Sequence, residues 1–98
     1  PYGIFHACEL ETSLMMHIAP ELVDTYAMED ETPDEMFEGN EYITLFGPVN
    51  MGWKTKDVTK SGVIGSPSYA SREKGEKMLD YAVEKLEKIV GEIIRFHY

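Results

Sequence analysis

Basic residues are missing from the first 53 positions of this 98-residue chain, although eleven aspartates and glutamates lie there. All nine lysines and arginines follow from Lys54 onward, against seven acids, so the front carries −11 and the back +2 of a net charge of −9. Such a front excludes a nucleic-acid surface, which needs clustered Lys and Arg to neutralise phosphates. An anionic membrane surface is excluded for the same reason. A single cysteine, Cys8, leaves no internal disulfide. Signal-peptide patterning and an apolar run long enough to span a bilayer are also missing, and the expected compartment is the cytoplasm. The glycines fall into neither a G-x-G-x-x-G dinucleotide loop nor a loop ending in G-K-[ST], and the acids do not follow the spacing of a calcium loop. A chain of this length makes one small domain that buries little more than half of its unfolded surface, so partner surface would help it.

What is present is concentrated between Phe5 and Val23, FHACELETSLMMHIAPELV. Leu10, Leu14 and Ile18, with Met15 beside them, recur at helical spacing, and Pro20 ends the pattern. His6 stands just before this helix, while Glu9 and Glu11 fall in its first turn, where the unpaired N–H groups favour carboxylates. Histidine is the side chain whose ordinary titration lies nearest neutrality, so a histidine beside anions at a helix start can act as a general acid or base. An ordinary structural histidine is the competing interpretation.

Further along, 21–41 carries nine acids together with Tyr26, Met28, Met36 and Phe37, which reads as a solvated loop with a helical turn after Thr32-Pro33. Tyr42–Phe46 is β-branched and aromatic and ends at Gly47-Pro48, which predicts a strand. Trp53 reads as a packing anchor, and Gly62–Pro67 as a glycine-bracketed turn whose backbone can approach a neighbour closely. From about Ser71 to Phe96 the pattern is helical, with Ser71 as N-cap and an apolar stripe of Met78, Leu79, Ala82, Val83, Leu86, Ile89, Val90, Ile93 and Ile94. So wide a stripe predicts packing onto a sheet.

The phrase H-A-C-E-L-E-T-S-L-M-M, then P-E-L-V, resembles the histidine motif of the creatininase (creatinine amidohydrolase) family, H-A-G-x-x-E-T-S-L-M-L followed by P-x-L-V. A second phrase, S-G-V-I-G-S-P-S-Y-A-S-R-E-K-G-E from Ser61 to Glu76, is similar to the family's G-V-x-G-D-P-x-x-A-x-x-E-K-G. The resemblance implies an α/β fold, part of a three-layer α/β/α sandwich with a mostly parallel sheet. Residues 1–98 would be the C-terminal portion of one creatininase-like domain, with the N-terminal half absent from the chain. It also implies metal-dependent hydrolysis of the C–N bond of a cyclic amide or formamide, with a divalent ion, zinc or else manganese or iron, whose ligands lie mainly in that N-terminal half. Homo-oligomers, hexamers among them, are implied as well.

By the motif match His6 would contact substrate and shuttle the proton to the departing nitrogen, and Glu11 would orient the site or its helix. Glu9 falls on a variable position, and Cys8 stands where the family has glycine. Two alternatives remain. One is a non-catalytic interaction subunit that keeps the fold without the chemistry, and the other is a free-standing metal protein built on His6, Glu9 and Glu11.

Overall fold

The computed structural model describes residues 5–97, and it is helical. Three α-helices, α1 (Glu9–Ile18), α2 (Thr55–Val58) and α3 (Arg72–Arg95), are joined by 3₁₀ turns at Pro20–Leu22, Thr25–Ala27, Asp34–Phe37 and Pro67–Tyr69. Extended backbone pairs only at isolated bridges, His6 with Ile64, Glu31 with Gly65, and Ile43 with Val49. The expected α/β sandwich with a mostly parallel sheet is therefore overturned, because the described residues contain no sheet. The single strand-like run shows why. Tyr42–Phe46 curls back on itself, with Val49 N–H donating to the Tyr42 carbonyl at 3.3 Å and Gly47 N–H to the Thr44 carbonyl at 3.4 Å. A Cβ on Gly47 would lie 2.3 Å from that Tyr42 oxygen, so the turn closes only with glycine there. A segment folded this tightly cannot also line up with neighbouring strands.

α1 follows Cys8, an extended N-cap, carries Glu9 and Glu11 in its first turn and His17 in its last, and stops at Ile18, two residues before Pro20. Its buried face is not the leucine row. Ser13 is the fully buried residue of the helix, whereas Ile18 is 59% exposed. The reason is how closely α3 approaches. A Cβ on Gly75 would sit 1.9 Å from the Ser13 carbonyl oxygen and 3.0 Å from the His17 Cβ, so the two helices meet backbone to backbone. Ser13 Oγ accepts the Ser71 N–H at 3.2 Å, and Lys74 Nζ reaches Glu9 Oε1 at 2.5 Å across the same contact. The Ser71 hydroxyl in turn caps α3 by accepting the Lys74 N–H at 3.2 Å, as its sequence predicts.

Beyond this contact α3 runs free. Every residue from 80 to 97 except Gly91 is exposed, including Leu86, Ile89, Val90, Ile93 and Ile94 of the apolar stripe. Glu84 and Lys88 form the i,i+4 pair expected on its polar side, at 2.6 Å. The radius of gyration, 17.2 Å, exceeds the roughly 13 Å of a compact domain of this length. Elsewhere Phe37, Val58 and Ile64 are buried. Phe5 packs edge-on against Phe46, with centroids 5.2 Å apart, and stacks on Trp53 at 6.0 Å, so Trp53 is indeed a packing anchor.

The α1–α3 contact yields a test. Alanine gains about 1 kcal/mol over glycine in an exposed helix, but at position 75 its methyl collides with backbone that cannot swing aside, and overpacking costs about 1–3 kcal/mol. Gly75→Ala should therefore lower the urea midpoint, whereas Gly91→Ala, where a Cβ meets only the Arg95 side chain at 3.5 Å, should raise it.

Candidate active site

His6 and Glu11, the two residues singled out by the sequence, lie on either side of the α1 N-terminus. The backbone turns sharply between them. Ala7 adopts φ +50°, a left-handed conformation that non-glycine residues adopt at a cost, while Cys8 has an ordinary extended φ of −95°. Cysteine thus stands at position 8 without strain, and the tight residue of the turn is Ala7.

Glu11 reaches back over the helix start. Its Oε2 accepts the Cys8 N–H at 3.1 Å and the Cys8 thiol at 2.8 Å, and the Phe5 N–H donates to Cys8 Sγ at 3.1 Å. Partial burial pushes the Glu11 carboxyl up. The Cys8 thiol, its own N–H, the Cys8 N–H and attraction to His6 together outweigh that and hold it below its ordinary value near 4.5. Glu9 points elsewhere, into the ion pair with Lys74. The structure therefore splits the expected histidine–carboxylate trio: Glu11 stays with the turn that bears His6, and Glu9 ties α1 to α3.

The His6 side chain is exposed, and its backbone does the anchoring. His6 N–H donates to the Ile64 carbonyl at 3.3 Å, and Ile64 N–H returns a bond to the His6 carbonyl at 2.9 Å. Ile64 itself is fully buried. On the far side of this segment Glu31 and Gly65 exchange bonds of 3.1 and 2.7 Å. The Glu31 carboxylate accepts the N–H groups of Lys60 at 2.6 Å and Ser61 at 2.8 Å, together with the Ser61 hydroxyl. The Ser61 and Thr59 hydroxyls and these two amides hold the Glu31 carboxyl down at about 2. One residue earlier the Asp30 carboxylate accepts the Ser68 N–H at 2.9 Å and hydroxyl at 2.5 Å. Two acids of the supposed solvated loop are thus structural anchors. The one hint of this in the sequence is that Asp30-Glu31 must find donors in a stretch without a single base.

Beside the turn lies a shallow hollow of about 350 Å³. Its lining combines apolar Met15, Val23, Met28 and Val63 with acidic Glu11, Asp24 and Glu29. Among the described residues no three His, Cys, Asp or Glu side chains come close enough together to hold a metal ion. No helix among the described residues is long and apolar enough to cross a membrane.

The two motif phrases are thus brought together at the His6–Ile64 bridge. The family model described as creatininase, creatinine amidohydrolase, matches residues 1–90, and the chain belongs to the creatininase family. No curated protein and no solved structure matches the chain.

The depressed carboxyl of Glu11 gives this site a pH signature. A folded-state value below the unfolded one adds stability that is present above about pH 4.5 and is lost as pH falls through the folded value. Glu11→Gln should therefore melt below the parent chain at neutral pH and converge with it in acid, where the parent's Glu11 is itself protonated. Melting curves of both proteins between pH 3 and 7 provide the check.

Proposed function

We propose that this chain supplies the acid–base group of an amide hydrolase of the creatininase type, acting on the C–N bond of a small cyclic amide or formamide. One observation carries the proposal: within the family match, His6 is backbone-anchored yet side-chain exposed, next to the turn that Glu11 closes. As the C–N bond breaks, the departing nitrogen needs a proton, and an imidazolium N–H of His6 is the donor of choice in this part of the chain. Glu11 holds the turn and adds a negative charge nearby. The hollow, lined by apolar and acidic side chains, suits a small uncharged or cationic amide better than a polyanion.

The residues of this chain do not make a metal centre by themselves. The zinc, manganese or iron ion implied by the family would need ligands from the N-terminal part of the domain, supplied as a separate chain or within a longer polypeptide. The uncovered apolar side of α3 and the open shape of the chain support such a partner, and a homo-oligomer, hexamer included, would add further cover. The same features support a second reading, a non-catalytic subunit that uses α3 to hold a complex together.

Turnover separates the two. The assembled protein is to be assayed on creatinine, N-formyl compounds and short peptides, with His6→Gln alongside. An acid–base role lowers kcat by about 10²–10⁴ with assembly and metal content unchanged. No turnover in the parent would leave the interaction-subunit reading, and equal turnover in parent and variant would refute the acid–base role of His6.

A further inference from the structure

We propose that Glu31 is the positioning residue for His6, acting through the 60–65 segment on which the His6 backbone rests. The inference rests on the acid–base role given to His6 above. It starts from the question of what fixes a segment that is itself neither helix nor sheet. The answer is complete donor by donor. Lys60 N–H and Ser61 N–H go to the Glu31 carboxylate. Gly62 N–H goes to Thr59 Oγ1 at 3.2 Å and Val63 N–H to Ser61 Oγ at 3.1 Å. Ile64 N–H goes to the His6 carbonyl and Gly65 N–H to the Glu31 carbonyl.

Six consecutive amides are thus satisfied, and Glu31 takes three of them directly. It also orients the Ser61 hydroxyl that takes a fourth, because that hydroxyl donates its proton to Glu31 Oε2 and so turns its lone pairs toward Val63. A carboxylate that accepts several donors at once imposes their relative orientation, as one neutral acceptor cannot. Glu31 lies 29 and 30 residues from the amides its carboxylate accepts, so this order is tertiary and would collapse locally without it. The other charged groups facing the same cleft are Asp30, Glu35, Lys56, Asp57 and Lys60. Asp30 is engaged by Ser68, which fixes the downstream end of the same segment.

The test uses the full 98-residue chain with Glu31→Ala, Glu31→Asp and Ser61→Ala, followed by amide hydrogen exchange and histidine NMR. Glu31→Ala should speed exchange at Ile64 and Gly65 by about tenfold or more. It should also move the His6 Cε1–H resonance, with His17 and His97 as internal references, while amides in the first turns of α3 keep their protection. Glu31→Asp, which retains a carboxylate, should recover part of the effect, and Ser61→Ala should reproduce part of it. Unchanged exchange at Ile64 and an unmoved His6 resonance would overturn the proposal. So would an equal loss of protection in α3 for Glu31→Ala and Ser61→Ala alike, which would make Glu31 a general stabiliser. In the assembled protein, Glu31→Ala should lower kcat more than it alters KM. An exchange effect without any kcat effect would keep the positioning and refute the acid–base role of His6.

Discussion

The contact between Ser13 and Gly75 is the constraint from which the arrangement of the other parts follows. Two helices that touch backbone to backbone have almost no freedom to slide, since any side chain at position 75 would fill the space that the Ser13 carbonyl occupies. Around that point the Ser13 hydroxyl takes the Ser71 amide and Lys74 reaches Glu9, so the first turn of α3 is bound to the middle and start of α1 by three independent interactions. The 3₁₀ turn at Pro67–Tyr69 leads directly into this junction, and the 60–65 segment leads into the turn. His6 is consequently located from both sides: along its own chain through the Ala7–Cys8 turn into α1, and across space through Ile64.

How much of this could be read from residues alone depended on the range of the interactions. Local features were legible. The stop at Pro20, the Ser71 cap, the helical turn after Pro33 and the Glu84–Lys88 pair each depend on neighbours within four positions. The two motif phrases were legible as phrases, but nothing in their spelling says that their backbones pair at His6 and Ile64. Gly75 did leave a signal, because a glycine inside a strongly helical run usually has a packing reason; the apolar periodicity of α1 drew attention to Leu10, Leu14 and Ile18 instead. For Glu31 the pattern was silent, as a carboxylate whose donors lie about thirty residues away looks like any other acid in an acidic loop.

The sheet is the instructive failure. The stripe on α3 predicts a sheet beneath it, and the family resemblance implies one, yet the described residues hold no sheet. A periodicity reports that a face wants cover; it does not report that the cover is in the same stretch of chain. Among the described residues the stripe lies uncovered, with no sheet beneath it. The distribution of burial agrees, with α3 engaged near Gly75 and bare from residue 80 onward.

The charge asymmetry of the sequence also acquires a structural meaning. With no lysine or arginine in its front half, the chain cannot neutralise its acids there by local ion pairs. It uses backbone amides and hydroxyls instead: Asp24 takes the Tyr26 N–H, Asp30 takes Ser68, Glu31 takes Lys60 and Ser61 through their amides, and Glu11 takes Cys8. Among the described residues Glu9 reaches a lysine, and that lysine, Lys74, comes from α3. Amide donors are fixed by the backbone and lose less conformational freedom than a lysine side chain does when it binds a carboxylate. They are also screened less by salt than an exposed ion pair. Within this acidic front Glu11 and Glu31 fix geometry around the His6 turn, while Glu21, Glu29, Glu35, Glu38 and Glu41 are exposed to solvent.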